Sequence, residues 1–308
     1  MLSLEFSDKI ALKYYKAIKA SIKDFDLIGL TEQNVKNLIL SRPEHLKEMN
    51  NDFIVKIIPN FNFDEFIAYL KKNKADRAKD LKYYTKISQI KNVFRYSQIV
   101  GNKYFLAELL DQHTCIYCNR NYVKTIGNTK NKIIRAEYDH FFSQSKYPLL
   151  ALSFYNLIPI CSNCNKKKLD DDFDISTHLH PYLMNIEEKK FSFSFRKKTF
   201  SENNIKVNIT TNNIDAQNKI KNTFRDLCLS EIYNAHSNKE LRDLLDLRYK
   251  YSENYLDILL NKTFKGLAIS KEEVYRMIFG IEINENDYHG RPFSKFKHDI
   301  IEELKKNN

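Results

Sequence analysis

From Phe6 to about Ser21 apolar residues recur at helical spacing, as Ile10, Leu12, Tyr15 and Ile18 with Ile22 beyond, and predict an opening helix. Thr31 is the expected N-cap of a second helix carrying Val35, Leu38 and Ile39, which Arg42-Pro43 would end. A third starts near Asp64 with Phe66, Ile67 and Leu70. The charged stretch Lys71 to Lys82 then leads into Ile87, Ile90, Val93, Phe94 and Ile99 and, after Gly101, Phe105, Leu109 and Leu110. Residues 1–110 therefore read as an all-helical region whose apolar stripes are core, with no chemical motif.

The pattern changes at residue 111. Up to about residue 185 there are short apolar pieces, paired cysteines and the turn-prone Ile126-Gly127-Asn128. Phe191, Phe193 and Phe195 then alternate with Ser192 and Ser194, and Ile205, Val207 and Ile209 alternate likewise. These predict two antiparallel strands joined across the polar Ser201 to Asn204. From Ile214 to Leu260 helical spacing returns, through Ile220, Phe224, Leu227, Ile232 and Tyr233 and on through Leu241, Leu244, Leu245, Tyr251, Tyr255, Leu256 and Leu259. Ser270 with Glu273 forms a capping box opening a helix that Gly280 stops, and a last helix follows Arg291-Pro292 with Phe296, Ile300, Ile301 and Leu304. The expected organisation is a helical region at 1–110, a chemistry-bearing segment at 111–185, and a β-hairpin with further helices at 186–308.

A chain of 308 residues with 43% hydrophobic residues can bury a sizeable core. Its net charge of +11 suits a polyanionic partner without proving one. The first twenty residues mix Glu5, Asp8, Lys9, Lys13 and Lys16 with apolar positions, so no secretory signal is read there. The most apolar window, Tyr147 to Cys161, contains Pro148, Asn156 and Pro159 and is too short to span a membrane. A cytoplasmic location is expected. In that reducing compartment, close cysteine pairs are metal ligands or redox groups before they are structural disulfides.

Cys115-Ile116-Tyr117-Cys118 and Cys161-Ser162-Asn163-Cys164 are two Cys-x-x-Cys knuckles with 42 residues between them. Two thiolates from each of two tight turns complete a tetrahedral zinc site with no open position, which is a structural role. A redox dithiol would call for a surrounding βαβ pattern, and none is seen. The fifth cysteine, Cys228, lies between Leu227 and Leu229 and reads as a small hydrophobe of a helical face.

Between the knuckles stands Ala136-Glu137-Tyr138-Asp139-His140-Phe141-Phe142, followed by Asn156 sixteen residues after His140 and Asn165 nine residues after that. Here the chain resembles the HNH endonuclease family with its ββα-metal fold, in the version with an Asp-His start and a third-position Asn. The resemblance implies His140 as general base on water, Asp139 and Asn165 as ligands of a catalytic Mg²⁺ or Mn²⁺, and Asn156 bracing the loop between strand and helix. The fold class that follows is a mainly α chain with a small embedded ββα-metal (HNH) module, stapled by structural Zn²⁺, and a short antiparallel hairpin.

The chemistry asks for these residue types on its own terms. Phosphodiester hydrolysis needs a base active near neutral pH, as an imidazole is, and a hard cation to offset charge on the leaving oxygen. Asp139 and His140 are sequence neighbours, so a regular strand would turn them to opposite faces, and a bend or bulge is expected. Lys146, Lys166, Lys167 and Lys168 are candidate phosphate contacts, the last three equally readable as a solvated basic helix. His178 and His180 read as structural first, with a metal or phosphate ligand from His180-Pro181-Tyr182 as the rival reading.

A longer stretch, Asp139 to Pro148 and on through Ser153 to Pro159, is similar to the HNH subunit of Septu-type anti-phage defence systems. His180-Pro181-Tyr182, Ile232 to His236, and Arg291 to Lys295 with Asp299-Ile300 are similar to it as well. That resemblance implies an ATPase partner of the ABC/SMC-like class regulating cleavage of invader nucleic acid. DNA is favoured as substrate. The rival readings are cleavage of RNA such as tRNA, and a zinc-stabilised nucleic-acid-binding or assembly module without catalysis.

Overall fold

In a computed structural model the described residues are 1–101, 104–128, 130–169, 171, 173–197, 203–249, 258–263 and 266–306. They form two compact units, one of Glu5–Asp111 with Lys124–Ile175, the other of Met1–Leu4, Gln112–Val123 and Ser176–Asn308.

The first of these begins with seven helices: α1 (Asp8–Ile18), α2 (Glu32–Leu40), α3 (Pro43–Ile57), α4 (Phe63–Lys71), α5 (Lys74–Lys79), α6 (Tyr84–Val93) and α7 (Phe105–Leu110). Their starts follow local chemistry. The Ser7 hydroxyl accepts from Ile10 N, and Thr31 with Asn34 forms a reciprocal capping box. Arg42-Pro43 does more than end α2. Pro43 is the first residue of α3, where its missing N–H costs nothing because a first-turn N–H has no intrahelical partner. Four short strands come next: β1 (Ile126–Gly127) pairs with β2 (Lys132–Ile134), and β3 (Glu137–His140) with β4 (Leu157–Ile160), both antiparallel. Gly127 has φ +96°, and a Cβ there would lie 2.3 Å from Asn131 O, so the predicted turn needs a glycine. Helix α8 (Ser162–Lys168) follows β4, completing a strand, strand, helix succession.

The helical stripes of this unit cover the segment between β3 and β4. Tyr14 donates its hydroxyl to Leu152 O at 3.0 Å, and Ser153 donates to Leu38 O at 2.6 Å. Phe6 stacks on Tyr155, and Phe63 on Tyr147. Leu149, Leu150, Leu152 and Phe154 are buried as a result.

The other unit carries the hairpin of β5 (Phe191–Lys197) and β6 (Asn203–Ile209), in the register Phe191↔Ile209, Phe193↔Val207, Phe195↔Ile205. Its alternation is the expected one, while residues 201 and 202 of the expected turn lie outside the described residues. The helical pattern after Ile214 is interrupted. It divides into α9 (Ile214–Asp226), α10 (Leu229–Asn234) and α11 (Arg242–Tyr249), and Tyr251, Tyr255 and Leu256 fall outside the described residues. Cys228 stands at the first break with φ +49°, half-buried and in a left-handed conformation, where a helical face was expected. The Ser270–Glu273 capping box opens α12 (Lys271–Phe279), Gly280 ends it at φ +64°, and α13 (Ser294–Lys306) closes the described chain. No helix among the described residues is long and apolar enough to cross a membrane.

Candidate active site and cysteine cluster

Cys115, Cys118, Cys161 and Cys164 are all buried, none is in a disulfide, and their sulfurs lie within 4.8 Å of one another. Four thiolates around one Zn²⁺ at about 2.3 Å would stand roughly 3.8 Å apart, so this soft, closed donor set fits a structural zinc. Each knuckle is built by its own chain segment. In the first, Asn119 N donates to Cys115 O at 2.7 Å, and Asn119 holds φ +45°. The Asn119 amide donates to Thr114 Oγ1, Tyr288 O and Arg291 O at 2.9–3.2 Å, and Tyr233 donates its hydroxyl to Cys118 O at 2.6 Å. In the second, Cys161 is the residue before α8 and Cys164 lies inside it, so the knuckle is the first turn of the helix.

The ladder of β3 and β4 is regular, running from Glu137↔Ile160 to His140↔Leu157 with no shift, so the expected bend or bulge at Asp139-His140 is absent. Two carboxylates at alternate positions of β3 meet two residues at i, i+3 on α8. Asn165 donates Nδ2 to Glu137 Oε2 at 2.8 Å, and Lys168 donates Nζ to Asp139 Oδ1 at 3.1 Å. Lys168 also donates to His140 O at 2.9 Å and lies 4.9 Å from the Phe173 ring centroid. It is fully buried. Lys166 and Lys167 are exposed on α8 and Lys146 is half-exposed, so of the four candidate phosphate contacts Lys168 alone turns inward.

His140 is half-buried at the end of β3, with Nε2 2.9 Å from Ala151 O. A carbonyl only accepts, so Nε2 carries the hydrogen and Nδ1 keeps its lone pair. Burial pushes the imidazole below its ordinary value, while the Ala151 bond and Asp139 oppose that shift. The ring is therefore neutral at neutral pH. Tyr96 packs on it edge to face, with ring centroids 4.6 Å apart. Asn156 is fully buried and braces the loop after β3: Oδ1 accepts from Phe142 N at 2.7 Å, and Nδ2 donates to Phe142 O and Leu150 O at 3.1 and 3.2 Å.

The oxygens of Asp139, Glu137 and Asn165 are hard donors, of the kind that suits Mg²⁺ or Mn²⁺ rather than a thiophilic ion. The Asn165 amide gives its N–H₂ to Glu137, and its carbonyl oxygen is the acceptor end of the group. Glu137, Ala151 O and Tyr96 were not singled out in the sequence. Only Glu137 left a trace there, as the Glu137-x-Asp139 alternation. His178 is held between Thr177 Oγ1 at 2.9 Å and Asp226 Oδ2 at 3.0 Å, and His180 Nδ1 accepts from Tyr182 N at 3.3 Å.

Residues 115–171 match the HNH endonuclease family, and this span holds both knuckles, β3, β4 and α8. No curated protein and no solved structure matches the chain. Residues 115–171 are an HNH endonuclease domain, so this chain carries a nucleic-acid phosphodiesterase.

Proposed function

We propose that the chain is a divalent-metal-dependent endonuclease cutting DNA, with His140 as general base, Asp139 and Asn165 as ligands of the catalytic cation, and Asn156 as a positioning residue. The observation that carries this is the Nε2–H···O bond from His140 to Ala151, which leaves Nδ1 with its lone pair as the proton-accepting nitrogen of the ring. In the reaction a water gives a proton to His140 Nδ1 as its oxygen bonds to phosphorus. The P–O bond on the opposite side then breaks, and the departing oxygen is protonated from solvent. Bound Mg²⁺ or Mn²⁺ supplies charge neutralisation at the phosphate and leaving oxygen. Asp139 is kept in place by Lys168 and Asn165 by Glu137, so β3 and α8 hold the ligand side chains before any cation arrives. Lys146, Lys166 and Lys167 face outward and would contact flanking phosphates.

The test incubates wild type and His140→Ala with duplex DNA, single-stranded DNA and tRNA, in Mg²⁺, Mn²⁺ or EDTA. Metal-dependent nicking of DNA that falls by about 10²–10⁴ in H140A is expected. Equal cleavage by both proteins sinks the His140 role, and cleavage of tRNA alone replaces DNA with RNA.

We further propose that the nuclease is the effector of an anti-phage complex governed by an ABC/SMC-like ATPase. Support comes from the Asp139–Pro159 stretch and the shorter His180-Pro181-Tyr182 and Arg291–Lys295 segments, which are similar to the Septu HNH subunit. Pull-down from the native host should recover such an ATPase. A monodisperse chain with full, unregulated activity contradicts this.

A further inference from the structure

The helical region carries no chemical motif in its sequence, yet one of its side chains reaches the catalytic imidazole. Tyr96 stands just past the end of α6. Phe94, fully buried, anchors the chain on one side of it, and Ile99 and Val100, both buried, anchor it on the other. Between these anchors the backbone is tightly folded. Tyr96 N donates to Phe94 O at 2.7 Å, and Gln98 N and Ile99 N both donate to Arg95 O, at 3.1 and 3.0 Å, as the chain enters a π-helical turn over Ser97–Gly101. Such turns recur at functional sites.

The Tyr96 ring is held from two sides. Its Cε1 would lie 3.2 Å from a Cβ at Gly101, and its Cδ1 3.4 Å, so the ring backs closely onto this stretch of backbone and a side chain at 101 would press on it. On the other side is His140, with the two rings inclined at 73°. Burial is the main influence raising the pKa of the Tyr96 hydroxyl, which also feels the charges of Arg135, Asp139 and Glu137. The imidazole is thus fixed at two places, by Ala151 O at Nε2 and by an aromatic ring on its flank. A single hydrogen bond leaves rotation about that bond open, and the ring contact closes it.

We propose that Tyr96 is a positioning residue for the nuclease, holding His140 in the rotamer and tautomer that present Nδ1 to the attacking water. The N-terminal helical region is therefore a wall of the active site and sets the aim of its base. This inference rests on the assignment of His140 as base, and its test separates the two. In ¹⁵N-labelled full-length protein the His140 ring nitrogens report the tautomer directly. Wild type and Tyr96→Phe, which keeps the ring, should both show a single Nε2–H tautomer, with kcat in Y96F within about threefold of wild type. Tyr96→Ala and Tyr96→Leu should lose that signature, with kcat down about tenfold to a hundredfold and KM within about twofold. Gly101→Ala, which crowds the ring without deleting it, should fall between. Circular dichroism and melting curves identify folded variants, and Y96L keeps the test usable where Y96A does not fold. A wild-type tautomer signature and kcat in folded Y96A and Y96L, with H140A inactive, overturn the proposal alone. Equal cleavage by wild type and H140A overturns the base assignment and the catalytic meaning of Tyr96 with it.

Discussion

Lys168 has its ammonium in the protein interior, with Asp139 Oδ1 and His140 O as acceptors. A charged amine is stable there only while its partner is charged too, so the pair stands or falls together. Lys168→Met alone should destabilise the fold by about 3–5 kcal/mol, because it leaves the Asp139 carboxylate buried without its cation. Asp139→Asn alone should cost a similar amount. The double variant should cost well under the sum, and urea melts of all four proteins measure this coupling. Additive losses would show that the two charges do not depend on each other. What the sequence made legible at this scale was the four cysteines, whose chemistry is rare and whose spacing is fixed, and which the structure brings together. The sequence did not reveal that Lys168 turns inward, because Lys166, Lys167 and Lys168 are alike there. Only their angular positions on α8 separate them: a residue at i+3 from Asn165 returns to the helix face that meets β3. Ala151 could not be read at all, since its part is played by a backbone carbonyl.

Helix α8 links the two chemistries. Cys161 caps it, Cys164 sits in its first turn, and Asn165 and Lys168 follow on the same short element. A helix of 7 residues has little stability of its own, so the thiolate cluster at its start fixes the side chains further along. Cys161→Ser should therefore lower zinc content, lower stability by several kcal/mol and abolish metal-dependent nicking together. Elemental analysis, melting and nicking assays check the three, and a zinc-free chain that nicks normally would contradict the link. The C-terminal helices carry a pH dependence of their own. His298 Nδ1 on α13 shares a hydrogen bond with the Tyr288 hydroxyl at 2.8 Å, and burial holds its pKa below the ordinary value, with Asp299 and Glu302 opposing. The unfolded chain binds that proton more readily, so this contribution to stability is full above about pH 6.5 and is lost as pH falls below it. His298→Gln should flatten the stability profile in that window; an unchanged profile would assign the slope elsewhere. Element starts were the best-read feature of the sequence, because Thr31 and Ser270 announce themselves by capping chemistry. Element breaks were not. Apolar spacing runs on through Cys228, and the left-handed residue that divides α9 from α10 leaves no mark in a hydrophobic pattern.

At the scale of the molecule, the sequence separated a helical region at 1–110 from the nuclease segment, and composition gave no means of telling which apolar stripe covers which segment. The structure joins them: α1 to α7 belong to the same compact unit as β3, β4 and α8. Leu38, Tyr14 and Phe6 cover Ser153, Leu152, Phe154 and Tyr155 through hydrogen bonds and ring contacts, all within the loop that Asn156 braces. Each large apolar side chain uncovered there forfeits about 1.5–3 kcal/mol, and a domain holds only about 5–15 kcal/mol in total, so a handful of lost contacts exhausts it. A chain beginning at residue 111 keeps every cysteine, Asp139, His140, Asn156 and Asn165, and on motif content alone it should be an active nuclease. On packing it should not fold. Limited proteolysis and circular dichroism should find it open and without cooperative melting, while the full chain resists proteolysis and melts in a single step or two. Supplying residues 1–110 as a separate chain should restore protection of the 147–160 loop before it restores nicking, since cover comes first and the aim of His140 depends on it. A soluble, zinc-loaded 111–308 chain with His140-dependent nicking would show that the nuclease segment is self-sufficient and that the helices serve some other end.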